Sequence, residues 1–437
     1  MTQRLHKPQR TMKESYLIIL LLLFNNIHAM DNAAISDLKL LVHQLYSENN
    51  PAARNTIADQ ILQQEIPIQY LVSALENGNS YTSKVKTGRI KFAKKRKNGY
   101  RYRYIIDAPT NYQYTTKYPV IFFLHGGVTR KKWSSTGVWW PKLPDLHNDQ
   151  YIKVYPASWH QSKWWHDSQV NNIRSILGEV QSLYNIDTNK IYLSGLSDGG
   201  SGTYYISARI ADLFAAAAPV IGSPSVIDST SNDVHNETFP INLTGLPWLI
   251  INGMHDSLYP PKHIEPYIEF LKFMGVKFQL ILANTGHSFE ALKQNADRLF
   301  QFFSHTKRNP HPSELIWEVD QNSKFTRHHW LIIDEISQYQ SKKIFHGFLE
   351  KHLPKALVKI KAHENTIHVE SLSAQKITLL ISPQKFNLKL PIQVHINGKV
   401  VHDEVVKPSN QVLLKWAIKD RDPARLYVAE IMLTIST

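Results

Sequence analysis

Between Tyr118 and Phe303 the chain alternates short, almost unbroken apolar runs with amphipathic stretches, and this alternation restricts the fold more than any other feature. "YPVIFFL" offers no solvent face, so as a strand it must be covered on both sides, the situation of a parallel sheet between helices. "YIKVYP", "KIYLSGL", "FAAAAPVIG", "PWLIING" and "KFQLILAN" repeat the pattern. Between them Val170, Ile173, Ile176, Leu177, Val180 and Leu183 recur at helical spacing, a helix is expected over about 201–212, and "FEALKQNADRLFQFF" closes the series. The expectation is an α/β fold: a doubly wound, mostly parallel sheet with right-handed crossovers, binding ligands beyond the carboxyl ends of its strands.

The flanks differ in period. Ile35, Leu38, Leu41, Leu45, Ile57, Ile61, Ile66, Leu71 and Leu75 mark a small helical segment, taken as residues 30–84. The α/β domain spans 85–305, and the proline-bearing stretch 306–314 reads as a linker. From 315 to 437 the period is two: "ITLLIS", "PIQVHI" and "KVVHDEVV" predict strands of a β-rich accessory domain, with Asn397-Gly398 as a tight hairpin. At the other end, four basic residues precede the nine-residue apolar run "YLIILLLLF" and the small residue Ala29. Residues 1–29 therefore read as a signal peptide, the run being far short of the ~20 residues that span a bilayer. Export to a periplasmic or secreted location is expected, with a membrane anchor as the less favoured reading. The chain has no cysteine, which excludes disulfides, thiolate metal sites and a cysteine nucleophile.

The formal charge is +14, and ten Lys or Arg residues lie between Glu76 and Asp107 without an acid. Asn98-Gly99 predicts a two-residue hairpin there, over roughly 84–103. Such a hairpin suits contact with an anionic surface, but a solvated edge strand guarded by lysines explains it more simply. Export argues against nucleic acid as a partner.

The chemistry-bearing stretch is "KIYLSGLSDGGSG", where Gly195-Leu196-Ser197-Asp198-Gly199 fits G-x-S-x-G at the end of an apolar strand. In that pattern a sharp strand-to-helix turn exposes the serine, and small neighbours allow close backbone approach. Taken alone, the pentapeptide equally suits an ordinary glycine-rich turn. A serine nucleophile needs a base and the base an orienting acid, which after such an elbow follow in the order acid, then histidine. Asp256 follows "PWLIING" and His287 follows "KFQLILAN", in that order and each at a strand end. His125-Gly126-Gly127 closes an earlier strand, a turn suited to supply an oxyanion donor from Gly126 and Gly127 and, at its end, Val128. The N–H of Asp198 would be the second donor.

"FFLHGG", "GLSDGGSGTYYISARIADLFAAAAPVIG", "NGMHDSLYP" and "NTGHSF" resemble the α/β-hydrolase superfamily over roughly residues 100–305. The similarity is to its secreted group of feruloyl esterases, polyhydroxybutyrate depolymerases and prolyl-oligopeptidase-like hydrolases. The resemblance implies a cofactor-free serine hydrolase with Ser197 as nucleophile, Asp256 as acid and His287 as base. It implies cleavage of a carboxylic ester, free or linked to a polysaccharide, through an acyl-enzyme. Asp198 departs from the apolar or amide residue common after the nucleophile, and its carboxylate is expected to face solvent or a cation. Six of ten tryptophans lie between Trp133 and Trp165, and Trp139, Trp140, Trp164 and Trp165 are candidates for stacking on substrate. His328 and His329 lack metal-ligand spacing and read as surface or sheet residues. A serine peptidase of prolyl-oligopeptidase-like type and a catalytically silent binder of polysaccharide or cell wall are the competing readings. The ester panel and the elbow serine discriminate between them.

Overall fold

The structure, a computed structural model, describes residues 30–128, 146–229, 239–337 and 355–435. The predicted α/β alternation forms one eight-stranded sheet. Its strands are β1 (Gly88–Lys95), β2 (Arg101–Ala108), β3 (Tyr118–Leu124), β4 (Ile152–Pro156), β5 (Ile186–Leu196), β6 (Ala216–Val220), β7 (Trp248–Gly253) and β8 (Phe278–Ala283). Their spatial order is β1-β2-β4-β3-β5-β6-β7-β8. From β4 onward every neighbouring pair is parallel, whereas β1, β2 and β4 pair antiparallel. The central strands carry the apolar runs because both of their faces are covered. Val120, Ile121 and Phe122 are fully buried, as are Ala216, Ala217 and Ala218.

The basic hairpin is β1 with β2, and β1 is the sheet's edge strand, where lysines deter further pairing. Its turn differs from the expected two-residue type. Gly99 has φ 80° but Asn98 is not left-handed, and Gly99 N–H donates to Arg96 O at 2.9 Å, giving a longer turn. At Asn397-Gly398 both residues have positive φ (49° and 86°) and Ile396 pairs with Lys399, so there the tight hairpin forms.

Among the described residues three helices precede the sheet, Asn32–Ser47, Pro51–Gln63 and Ile68–Asn77. Their apolar faces meet Leu413, Leu414 and Ala417 of a helix near the far end of the chain, Asn410–Asp420, that the period-two reading had not anticipated. Residues beyond 313 otherwise form two packed sheets, one of four strands and one of five. The stretch before them is not a loose tether. Arg308 is buried in it, donating to Asp212 O and paired with Asp422 at 2.6 Å.

Arg308 belongs to a buried charge cluster that joins the α/β sheet to the C-terminal region. Arg425 pairs with Asp212 (2.5 Å) and Asp422 (3.2 Å), and Arg327 grips Asp420 with two bonds of 2.6 Å. Burial alone would raise the Asp422 carboxyl, but Arg308 and Arg425 outweigh it and hold it down to about 2. Beside this cluster His328 and His329 are buried, not surface residues. His328 stacks on Trp317 at 4.3 Å, and burial pushes its pKa down to about 4. Burial likewise pushes His311 down to about 4.

Two outcomes follow. Arg425→Met leaves Asp212 buried without its closest cation and should cost ~3–5 kcal/mol, read as a lowered urea midpoint. Below about pH 6.5 the unfolded chain binds protons that buried neutral His328 and His311 refuse, so stability should fall as pH drops from 6.5 toward 4. It should fall again below 3.8 as Asp422, depressed in the folded state, begins to lag its unfolded counterpart in proton uptake, until pH reaches about 2. A urea midpoint that stays flat between pH 7 and 4 would contradict the histidine part.

Candidate active site

Ser197 stands between β5 and the helix Asp198–Ile210, with φ 56° and ψ −118°. A non-glycine residue there stores of order 1–3 kcal/mol, so its surroundings must impose it. Three glycines allow this. A Cβ on Gly195 would overlap the carbonyl of Gly199, one on Gly199 the carbonyl of Leu124, and one on Gly200 would lie 2.9 Å from Val220 O. Ser197 N–H is held by Val220 O at 2.9 Å, and Ser201 N–H donates to Ser197 O at 3.0 Å. The helix starts at Asp198, three residues earlier than expected, directly on the elbow.

The ends of β7 and β8 meet the serine. Asp256 is 2% exposed, and its Oδ1 accepts the N–H groups of Leu258 (2.9 Å) and Tyr259 (2.8 Å). Its Oδ2 lies 2.8 Å from His287 Nδ1, and His287 Nε2 lies 2.8 Å from Ser197 Oγ. A carboxylate only accepts, so Nδ1 carries the ring proton and Nε2 presents a lone pair to the serine hydroxyl. The two loops are stitched together: His255 N–H donates to Thr285 O at 2.9 Å and Met254 N–H to Ala283 O at 2.7 Å. Gly253 permits the crossing, since a Cβ there would lie 2.6 Å from Thr285 O.

The turn after β3 lies against the nucleophile. A Cβ on Gly126 would sit 3.1 Å from that of Ser197. Gly127 is left-handed at φ 68°. His125 props the turn with its ring: Nε2 accepts the Ser158 N–H at 2.9 Å, so Nδ1 is the donor to Gly126 O at 2.8 Å. Trp164 Nε1 donates to His125 O at 2.8 Å. Asp198 Oδ2 accepts the N–H of Val128 at 2.8 Å. One carboxylate oxygen of Asp198 is thus engaged by a backbone N–H, a partner the sequence did not suggest, and the Val128 N–H, committed to it, is not available as an oxyanion donor. As the first residue of its helix, Asp198 has an N–H without an intrahelical acceptor.

Of the tryptophans, Trp139 and Trp140 lie outside the described residues. Trp164 and Trp165 are 0% and 2% exposed, so their faces are packed in the core and are not open to substrate stacking. Ser194 and Ser201 are buried and donate to Ala218 O and Ser223 O. Tyr259 escaped the sequence reading. Its ring meets His287 edge-on at 5.3 Å, and burial, with the charges of Asp198 and Asp256, pushes its phenol up to about 12. Only its place in the acid loop hinted at this. Among the described residues no group of three or more His, Asp or Glu side chains is placed to hold a metal.

No protein-family model matches the chain. It is 30% identical over 154 residues to the bifunctional acetylxylan esterase/xylanase XynS20E of Neocallimastix patriciarum, 35% of this chain and 21% of that protein. It is 28% identical over 120 residues to poly(3-hydroxyalkanoate) depolymerase C of Paucimonas lemoignei, 24% of this chain and 28% of that one. The chain thus aligns with under a third of the length of either relative. Among solved structures, S-formylglutathione hydrolase FrmB of Staphylococcus aureus matches with a TM-score of 0.40 at 17% identity, over 51% of this chain and 98% of that one. The fluorophosphonate-binding serine hydrolase FphF of the same organism matches with a TM-score of 0.41 at 16% identity, over 50% and 99%. The chain has a mixed α/β architecture with one large, mostly parallel sheet, and parts of its sequence are similar to an esterase and a depolymerase.

The glycine crossing makes a direct prediction. Gly199→Ala should destabilise the protein by several kcal/mol or prevent folding, because backbone would have to move. Gly275→Ala, at φ 78° with open space around it, should cost only ~1 kcal/mol. Urea denaturation of the pair checks the contrast.

Proposed function

We propose that the chain is an exported serine hydrolase that cleaves carboxylic esters. The observation that carries this is the continuous relay from Ser197 Oγ through His287 to Asp256, with both links at 2.8 Å and the acid buried. In this reading His287 Nε2 takes the Ser197 proton as Oγ attacks the ester carbonyl. The carbonyl oxygen becomes an oxyanion facing the N–H of Asp198 and the Gly126–Gly127 turn. His287 then gives the proton to the departing alcohol, leaving Ser197 acylated. Water repeats the sequence: His287 accepts its proton, hydroxide adds to the acyl carbon, and Ser197 leaves with the proton returned. Asp256 keeps Nδ1 protonated and stabilises the imidazolium that forms twice per turnover.

An ester rather than a peptide substrate is supported by the similarity to an acetylxylan esterase and to a polyhydroxyalkanoate depolymerase. Both act on esters attached to or forming a polymer, so the substrate class we propose is an ester presented by a polysaccharide or polyester. Export is supported by the basic, then apolar, then small-residue order of residues 1–29.

Ser197→Ala should abolish fluorophosphonate labelling and lower aryl-ester turnover by several orders of magnitude, with the thermal midpoint nearly unchanged. Labelling that persists in this variant would move the nucleophile elsewhere. A wild-type chain that cleaves peptide anilides but no ester would replace the substrate class. Expressed with a functional secretion system, the mature chain should begin near Met30 or Asp31 by mass spectrometry, and an intact N-terminus in the membrane fraction would refute cleavage.

A further inference from the structure

The turn that faces Ser197 is made of two consecutive glycines, Gly126 and Gly127, the second left-handed at φ 68°. Glycine permits that geometry but does nothing to hold it, since glycine loses more conformational freedom on ordering than any other residue. An oxyanion donor must nonetheless be fixed before the charge appears, because reorganisation during the reaction cancels its benefit. The entry of the turn is fixed by the His125 ring, bonded to Ser158 N–H and Gly126 O, and by Trp164 on the His125 carbonyl. At the exit, Val128 is buried and its N–H is held by Asp198 Oδ2 at 2.8 Å.

We propose that Asp198 is a positioning residue whose carboxylate, by accepting the Val128 N–H, straps the glycine turn to the nucleophile elbow. The inference rests on the ester-hydrolase reading above and adds a side-chain role that reading does not contain. One residue then joins both halves of the oxyanion site: its own N–H is one donor, and its carboxylate sets where the glycine turn, the source of the other, comes to rest. The negative charge is tolerable because it sits in the first turn of the helix Asp198–Ile210, where the helix dipole favours an anion. The Val128 N–H engages Oδ2, so that oxygen is held against the turn's backbone. The strap spans 70 residues of sequence.

The full chain is tested with an aryl acetate and with an aryl trifluoromethyl ketone, whose adduct with a serine hydroxyl carries an oxyanion. Competent sites are counted by fluorophosphonate titration, so that kcat refers to folded protein. Wild type that neither labels nor hydrolyses would overturn the ester-hydrolase reading and this one with it. With wild type active, Asp198→Ala should lose roughly 10–100-fold in kcat, the scale of an oxyanion donor misplaced by about an ångström. KM should stay within about threefold, and the ketone should bind more weakly by a factor close to the loss in kcat. Asp198→Asn, whose amide oxygen accepts the same N–H, should recover most of both losses. Asp198→Leu, branched at Cγ like Asn and without the acceptor, should behave as Ala does and replaces it should the Ala variant not fold. Retention of kcat and ketone affinity within threefold in the Ala or Leu variant would overturn the strap while leaving the hydrolase reading intact. An Asn variant as slow as Ala would also overturn it, assigning the effect to charge rather than to the bond.

Discussion

The arrangement of the site depends on one steric constraint, the crossing of backbones around Ser197. Four chain segments meet there with no room for a Cβ between them: the end of β5 at Gly195, the start of the following helix at Gly199 and Gly200, the end of β3 at Leu124, and the end of β6 with Val220 and Gly222. Ser197 is the non-glycine residue at the apex and takes a positive φ, with its N–H tied to the neighbouring strand at Val220 O. The strain is sustained because relieving it would require separating β3, β5 and β6, which are fully buried along their central residues. The sheet therefore pays locally for an exposed hydroxyl, and the other strand ends deliver His125, Asp256 and His287 to the same edge.

How much of this was legible depends on how far apart the interacting residues lie. The strands, and Ser197, Asp256 and His287 at their ends, could be read because each is announced locally, by an apolar run and the residue types at its end. Their order along the chain suggested the contacts that His287 makes with Ser197 and with Asp256. The Asp198–Val128 bond gave no such signal, since its two ends share no motif and lie in different loops. Read from sequence, a carboxylate at that position looked like a liability. Trp164 and Trp165 misled for a related reason: "KWWHD" is polar on both sides, yet Trp164 fills the space beside Gly202 and is wholly buried. The closing helix was legible in type but not in extent, because its face is interrupted at Asn295, splitting it into Glu290–Lys293 and Ala296–Ser304.

The C-terminal region was read as a β-rich accessory domain, and its described strands form two sheets. Its inner boundary is another matter. Arg308, Arg425, Asp212 and Asp422 are buried there, with Arg327 and Asp420 partly buried beside them, in a chain that has no cysteine with which to fasten one part to another. Buried ion pairs contribute little net stability compared with apolar packing, yet they penalise any arrangement that leaves one member alone. Such a cluster specifies a single docking geometry. Its members are spread over more than two hundred residues, which explains why no local pattern revealed it.

That docking reaches the nucleophile helix itself. Asn242 donates to Ala208 O, in the last turn of the helix Asp198–Ile210, and to Glu318 O, while its own Oδ1 accepts the Glu318 N–H at 2.7 Å. Two residues past the helix end, Asp212 is paired with Arg425. The helix that begins on Ser197 is thus fixed at its start by glycine-to-backbone packing and at its far end by strand β9 (Glu314–Asp320) and the charge cluster. A helix is a rigid body along its axis, so a shift at the Arg425 end would be transmitted to the elbow, where the glycine crossing leaves no slack to absorb it. The contacts that hold the C-terminal sheets in place therefore also hold the far end of the helix that begins beside Ser197.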